Sequence, residues 1–318
     1  MDLVLRQRKV KVFNHLNKLQ VDICLLQETH LSESDYNKIT SSNYSHLFSA
    51  HYNTKQRGVC ILINKKISFV HNTTITDPEG RFIIINISIN NSPVTIGNLY
   101  GPNTDDASFF QTFFSSISNV SNCPVIIAGD FNTVLDPTID RCNSLGNKRI
   151  WKSAETIKQF MRDFGLGDSW RLQHPNCKEY SFFSPVHHSY SHIDFFLTSN
   201  SIISNISESK IHQIAISDHA PVTLKWNTTS QHKPTTRWRF NISLLKDHDF
   251  DSYFKREWAC FLEMNDSPET SPSLLWETGK AVLRGKIISF AVYKKRKEKD
   301  EQVELEQKIK QLEDININ

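Results

Sequence analysis

The stretch PVIIAGDFN (124–132) decides the reading of the fold. A short apolar run ends abruptly at Gly129-Asp130, as a buried strand does when it stops at a corner and leaves a carboxylate at its end. Upstream, VTIGNLYGPN (94–103) reads as a second strand running into a Gly-Pro turn. Asp105 to Val120 fits a helix between the two, with Phe109, Phe110, Phe113 and Phe114 inside. Still earlier, GVCILIN (58–64) and RFIIINISI (81–89) read as paired strands, with Ile83, Ile85 and Ile87 on one side. VDICLLQE (21–28) reads as a strand buried on both faces. Ahead of it, Val12, Phe13, Leu16 and Leu19 keep the spacing of a core-facing helix. Downstream, Thr156 to Phe164 predicts a helix. EYSFFS (179–184) and YSHIDFFLTS (190–199) predict strands joined by the loop PVHH (185–188), and APVTLKW (220–226) closes the pattern. Strands outnumber helices, and the helices are interspersed among them. This predicts an α/β protein, a four-layer α/β sandwich in which two packed mixed β-sheets are flanked by helices.

Length and composition fit that architecture. At 318 residues the chain exceeds one sandwich domain and leaves room for an appendage. Apolar residues at 38% and charged residues at 22% exclude a largely disordered chain. The net charge of +3 permits a nucleic-acid partner without demanding one. No run of about 18 apolar residues occurs, so no membrane span is expected. MDLVLRQRKVKVFNHL at the start lacks the apolar stretch of a signal peptide. None of the six cysteines has C-x-x-C spacing, which favours reduced thiols in an intracellular protein over disulfides or a zinc site. Composition changes after Trp226. Residues 1–226 read as one domain, and NTTSQHKPTTR (227–237) as a linker. Residues 238–318 read as a helical extension, with Trp276, Leu283, Ile287 and Phe290 at helical offsets. In its charged end (294–315), Leu305, Ile309 and Leu312 span fewer than three heptads, which favours a solvated helix over oligomerisation through a coiled coil.

The strand ends carry the chemistry. They are Gln27-Glu28, Asn98 to Tyr100, Asp130 to Asn132, His192 to Asp194, and Ser217-Asp218-His219. A lone acid at a strand end is more often a cap. Several gathered at one sheet edge are different, because ligands of sheet-based enzymes collect there. Carboxylates, an amide, a phenol and an imidazole converging at such an edge suit a divalent cation and a phosphate. Asp105-Asp106, by contrast, reads as a loop or helix cap.

LLQETHL (25–31), NLYGPN (98–103), AGDFN (128–132), SHIDFFL (191–197) and ISDHAPV (216–222), in this order, resemble the endonuclease/exonuclease/phosphatase superfamily, which includes exonuclease III, the abasic-site endonucleases and DNase I. QETHLS, GDFNTVLDPTIDR and EYSFFSPVHHSYSHIDFFL are most similar to the apurinic-type endonuclease domain of LINE-class retrotransposon polyproteins. WRFNISLL (238–245) and LLWETGKAVLRGKIIS (274–289) resemble the segment that precedes the reverse transcriptase there. The resemblance implies a Mg²⁺-dependent DNA endonuclease, with Mn²⁺ as a substitute metal. It would act in the nucleus on double-stranded DNA and leave a 3′-hydroxyl and a 5′-phosphate. The implied metal set is Glu28, Asp130, Asn132, Asp218 and His219. The implied catalytic set is Tyr100, Asp130, Asn132, Asp194 and His219. Asp130 would activate water, Asn132 would hold water or phosphate, and Tyr100 would contact the scissile phosphate. His219 would stabilise charge on phosphorus, oriented by Asp194. Arg141, Ser181 and Ser217 would meet DNA. Apart from the resemblance, the short loop at 185–188 reads either as a probe of DNA shape, with His187 and His188 approaching phosphates and Pro185 and Val186 as an apolar wedge, or as an ordinary solvated hairpin.

The family pattern begins with an Asn-bearing strand, S-x-N-x-x-G, ahead of the first helix. This chain starts at Met1-Asp2, where that strand should already have ended. The departure implies an unpaired sheet position and keeps three readings open. They are a retrotransposon-type nicking enzyme, an exonuclease III-like or abasic-site DNA repair nuclease, and an inactive retroelement relic.

Overall fold

The computed structural model describes residues 3–36, 43–120, 122–142, 151–228, 240–268 and 270–317. The chain divides into two units, Met1–Ser230 and Gln231–Asn316. In the first, helix α1 (Leu3–Leu19) leads into strand β1 (Ile23–Leu26), the short helix α2 (Glu33–Tyr36), and strands β2 (Tyr44–Ala50), β3 (Val59–Asn64), β4 (Phe69–Thr76), β5 (Phe82–Ile89) and β6 (Ser92–Tyr100). Helix α3 (Ala107–Ser118), strand β7 (Val125–Asp130), helix α4 (Lys152–Asp163), strand β8 (Leu166–Asp168) and helix α5 (Ser169–Gln173) follow. Strands β9 (Phe182–Ser184), β10 (Ser189–Ser191), β11 (Asp194–Ser199), β12 (Ile206–Ile211) and β13 (Val222–Trp226) complete it.

Four layers follow from the side chains. A six-stranded sheet runs β4-β5-β6-β7-β11-β8, parallel only between β6 and β7. Its outer face carries Phe82, Ile84, Leu99, Ile127 and Leu197, covered by Phe110, Phe113, Phe114 and Ile117 of α3 and Ile157 of α4. Its inner face, with Ile83, Ile85, Ile87 and Ile96, meets Val59, Ile61 and Ile63 of β3. The opposing layer is antiparallel and comes in two pieces, β2-β3-β1 and β12-β13. Beyond it, Phe13 and Leu16 of α1 cover Cys24, Cys60 and Leu62. Burying isoleucine on both faces of β5 explains its unbroken apolar run.

Several elements differ from the sequence reading. β3 and β5 are not partners; they face each other across the sandwich, since both are apolar enough to lie at its centre. β1 is only four residues long and mostly half-buried, because α1 shields it incompletely. The stretch 190–199 is two strands, interrupted at His192-Ile193. β2, β4 and β12 escaped the reading. β4 (FVHNTTIT) is nearly all exposed and polar, so no apolar alternation marks it. The proposed linker lies outside the described residues from 229 onward.

The second unit is built from α6 (His248–Asn265) and the 46-residue α7 (Pro272–Ile317). Asp247 caps α6 by accepting the N–H groups of Asp249 and Phe250. Phe250 packs on Phe290 with ring centres 5.3 Å apart, and Gly279 gives Trp258 room, since a Cβ there would lie 2.7 Å from its ring. Leu305 and Leu312 remain exposed. No helix among the described residues is long and apolar enough to cross a membrane.

Candidate active site

Three neighbouring strands end side by side. β6 and β7 run parallel and put Tyr100 opposite Asp130, while β11, antiparallel to β7, puts Asp194 opposite Asp130. Adjacent strands lie about 4.8 Å apart, so these three side chains stand in a row along one sheet edge. Close backbone approach makes the corner. Gly129 has φ +148°, and a Cβ there would lie 2.0 Å from the Leu99 carbonyl oxygen. Asn132, at φ +50°, turns back on the corner. Its backbone N–H donates to Asp130 Oδ1 (2.8 Å), and its Nδ2 donates to Gly101 O (3.0 Å) and Asp130 Oδ2 (3.1 Å).

His219 reaches this row from the loop before β13. Its Nδ1 lies 3.0 Å from Asp194 Oδ2, and its Nε2 lies 3.9 Å from Asp130 Oδ2. Ligand atoms of Asp130, Asp194 and His219 all fall within 4.8 Å of one another. Two carboxylates and an imidazole at one sheltered edge match the donor set of a divalent cation. Of the residues expected to bind metal, Asp130 and His219 stand in this cluster, together with Asp194. Glu28 stands on the far side of Tyr100 and accepts the Tyr100 hydroxyl hydrogen bond. Its backbone is also in the left-handed region, at φ +48°. The turn is held by Thr29 N–H to Gly58 O (3.0 Å) and His30 N–H to Arg57 O (3.1 Å). Asn98, fully buried, donates to the carbonyls of Leu26 and Cys60 and accepts from Gln27 Nε2 (2.6 Å). It anchors the Glu28 strand of one sheet to the Tyr100 strand of the other.

Ser181 corrects one expectation. It is fully buried, which withdraws it from any DNA surface. Its hydroxyl accepts the N–H groups of Ile193 (3.1 Å) and Asp194 (3.0 Å), and its carbonyl accepts Ala220 N–H (2.7 Å). Phe183 N–H donates to Asp218 O (3.0 Å). The segment therefore splints the Asp194 strand to the His219 loop. Ser217 holds that loop locally: its hydroxyl accepts His219 N–H (3.1 Å) and donates to His219 O (3.0 Å). Asp218 is exposed and acts on His219 through its charge. Arg141 bridges Ser191 by backbone, and His187 and His188 sit exposed at the tip of the β9–β10 hairpin. Asp106 caps α3, and Asp105 accepts the Ser153 N–H at the start of α4.

Sequence reasoning passed over a second polar cluster behind the row. Arg171 Nη2 lies 2.5 Å from Asp140 Oδ1, and Asp140 is buried. The Asp140 carbonyl accepts His192 N–H (2.8 Å), two residues before Asp194. The His192 ring is fully buried between Trp170 (5.0 Å) and Phe195 (4.6 Å), with neither nitrogen hydrogen-bonded. Asp140 and His192 both lie inside quoted motifs, so the signal was present. What hid the cluster was Arg171, an ordinary-looking basic residue in a short helix.

Residues 5–219 match the Endonuclease/Exonuclease/phosphatase family. The chain belongs to this family. Its members are endonucleases, exonucleases and phosphatases, so the coarse reading is a phosphoester-cleaving enzyme. The chain is 26% identical over 285 residues to the Transposon TX1 uncharacterized 149 kDa protein of Xenopus laevis, covering 87% of this chain and 21% of that protein. The chain therefore spans about a fifth of that relative's length. In fold it resembles the Xenopus laevis APE2 catalytic domain, with a TM-score of 0.55, 19% identity, and 70% and 88% of the two chains covered. It also resembles the 3′ phosphatase NExo from Neisseria bound to a product DNA hairpin, with a TM-score of 0.53, 20% identity, and 70% and 96% covered.

Within this endonuclease/exonuclease/phosphatase fold the electrostatics are polarised. Burial, and then the neighbouring Asp194 carboxylate, push Asp130 well above the usual carboxylate range. Burial opposes charge on His219, but Asp194 beside it, the hydrogen bond between them, and Asp130 outweigh burial and carry its pKa up to about 9. Burial and the Glu28 carboxylate push the Tyr100 phenol up, keeping it a proton donor. The row thus holds a proton-avid carboxylate between a phenol and a cationic imidazole.

Proposed function

We propose that this chain is a divalent-metal-dependent DNA endonuclease of the retrotransposon type, hydrolysing a phosphodiester to a 3′-hydroxyl and a 5′-phosphate. One observation carries the reading. Tyr100, Asp130 and Asp194 align on three adjacent strands, with His219 hydrogen-bonded to Asp194 at 3.0 Å and facing Asp130. Asp130, with its raised proton affinity, accepts the proton of the attacking water. Asn132 holds that water through the geometry it shares with Asp130. The water oxygen adds to phosphorus, the bond from phosphorus to O3′ breaks with its electron pair going to O3′, and O3′ takes a proton from solvent to become the hydroxyl, while Asp130 returns its proton to solvent. His219, held cationic by Asp194, and the Tyr100 hydroxyl face the oxygens on which charge develops. Asp130, Asp194 and His219, with Glu28 beyond Tyr100, would hold Mg²⁺ or Mn²⁺, which when bound neutralises phosphate charge.

Two likenesses favour DNA and the retroelement setting: the DNA-bound Neisseria structure and the transposon relative, whose similarity runs over 87% of this chain. In this proposal Arg141, Ser217, His187 and His188 contact the duplex, and the enzyme acts in the nucleus. Residues 1–226 are the catalytic domain and 238–318 a helical extension in this proposal. The test is supercoiled plasmid with Mg²⁺, with and without abasic sites, for the parent and for Asp130→Ala and His219→Ala. Nicking of intact plasmid, lost in both folded variants, is expected. Cleavage confined to abasic sites would favour a repair nuclease, and none at all would favour a relic.

A further inference from the structure

Beside Glu28, on the side away from Asp194, lies an open recess of about 390 Å³. Arg57, Arg81, Gln56 and Asn103 line it, together with Glu28 and Tyr100. The walls come from four separate segments, yet the backbone locks them. Gly58 N–H donates to Gly80 O (3.0 Å), His30 N–H to Arg57 O (3.1 Å), and Tyr100 N–H to Arg81 O (2.7 Å). Arg57 itself is held in the left-handed region, at φ +63°. Such locking keeps the recess in shape before any ligand arrives.

Its two arginines are only partly engaged within the chain: the Arg57 guanidinium carbon lies 4.8 Å from the Tyr52 ring centre, and Arg81 Nη1 donates to Tyr100 O at 3.4 Å. Arg57 Nη1 pairs with Glu79 at 2.7 Å, which uses one side of its fork. Arg81 lies with its guanidinium carbon 5.7 Å from the Tyr100 ring centre and forms no ion pair among the described residues. Burial, and then the Arg57 charge, act against the Arg81 cation and outweigh the support it takes from Tyr100, Glu79 and Asp77. Two guanidiniums that repel each other across a small recess gain most from an anion placed between them.

We propose that this recess is a second phosphate subsite, in which Arg57 and Arg81 hold the phosphodiester next to the one being cut, on the same DNA strand. The subsite rests on the DNA-cleaving reading above and deepens it. It makes the substrate a polymer whose neighbouring linkage must be charged. A lone phosphate monoester or an isolated diester leaves the two arginines unused.

The test uses the whole chain and compares a diester without neighbours, bis(4-nitrophenyl) phosphate, with plasmid and oligonucleotide DNA. Arg57→Asn suits the left-handed backbone and should fold. It is expected to lower kcat/KM for DNA by about tenfold, the scale of one lost charge-assisted contact, and to leave the isolated diester within about twofold. A neutral methylphosphonate at the linkage adjacent to the cut should slow the parent by a similar factor and slow Arg57→Asn little further. Arg81→Met, which keeps the contact with Tyr100, should repeat the insensitivity to the neutral linkage. Equal losses on both substrates would show Arg57 supporting the hydrolytic centre, and no loss on DNA would show a passive surface; either overturns the subsite. A binding arm covers a chain that cleaves nothing. Asp130→Asn with and without Arg57→Asn is titrated against a fluorescent duplex at several salt concentrations. The salt slope should fall by about one with the added substitution, and an unchanged slope overturns the subsite even where cleavage fails.

Discussion

Replacing Asp194 by Asn separates the charge of the central pair from its shape. His219 Nδ1 sits 3.0 Å from Asp194 Oδ2, and the ring keeps its charge up to about pH 9 only because carboxylates surround it. The amide can still accept the Nδ1 hydrogen, so packing survives while the charge disappears. Losing a carboxylate at hydrogen-bond distance lowers a histidine pKa by about one to three units. Taking about two units, the loss is roughly 3 kcal/mol of imidazolium stabilisation, at 1.36 kcal/mol per unit. In the metal-free variant His219 should therefore titrate near about 7, so that at pH 8 it passes from mostly charged to mostly neutral. Ring resonances followed by NMR across pH 5–10, assigned with His219→Gln, measure this. Stability follows the same linkage. A raised folded pKa contributes stability that is complete below the ordinary histidine value of 6.5 and is lost as pH rises through about 9. Urea unfolding of the metal-free parent should weaken across that window, and the variant should show a shallower slope. A variant histidine still titrating near 9, with the parent's slope intact, would refute the pairing as the source of the charge.

Three further outcomes are expected. Arg171→Met strands the buried Asp140 carboxylate and should cost about 3 kcal/mol in urea unfolding, the lower end for breaking a buried ion pair; a loss below about 1 kcal/mol would mean the pair is solvated in practice. Gly129→Ala puts a Cβ 2.0 Å from Leu99 O at φ +148°, so the β6–β7 edge must open, at roughly 3 kcal/mol or more in thermal unfolding; an unchanged Tm would contradict the close approach. Shortening 185–189 to a two-residue turn should redistribute nicks on a sequenced plasmid more than it changes the total rate, since the exposed hairpin tip lies beyond the Asp194–His219 splint; an unchanged distribution would make the loop passive.

What the sequence disclosed and what it hid follow one physical division. Apolar runs such as 58–64 and 81–89 announce burial, and burial on both faces places them at the centre of the sandwich. They do not announce partners. Strand pairing is written in backbone hydrogen bonds, which any residue except proline makes alike, so β3 and β5 could be taken for neighbours when they lie in different sheets that face each other. β4 shows the reverse case. It earns its place from the ladder to β5, from Phe69 opposite Ile89 to Thr76 opposite Ile83, with almost no burial to betray it.

The site divides in the same way. Asp130 and Asn132 stood out in the sequence because an apolar strand stops at them, and Asp194 and His219 because each stands at or just ahead of the start of a strand. Ser181 was misread because a serine's chemistry depends wholly on whether water reaches it. Exposed, its hydroxyl would meet a phosphate; buried, it receives Ile193 and Asp194 N–H groups and fixes the strand that carries Asp194. The Asp140–Arg171 pair was missed for a related reason: its members are thirty-one positions apart, and only the chain's return through α5 brings them together. Both cases place positioning residues where sequence patterns are weakest. They also explain why Asp130 can keep so unfavourable a carboxylate environment. The row is clamped from behind by Arg171 through Asp140 and His192, and from the side by Ser181, so relaxing the repulsion between Asp130 and Asp194 would require breaking several hydrogen bonds at once. A cation would be the easier way to relieve it, and the clamp would thereby turn stability elsewhere in the fold into affinity at the strand ends.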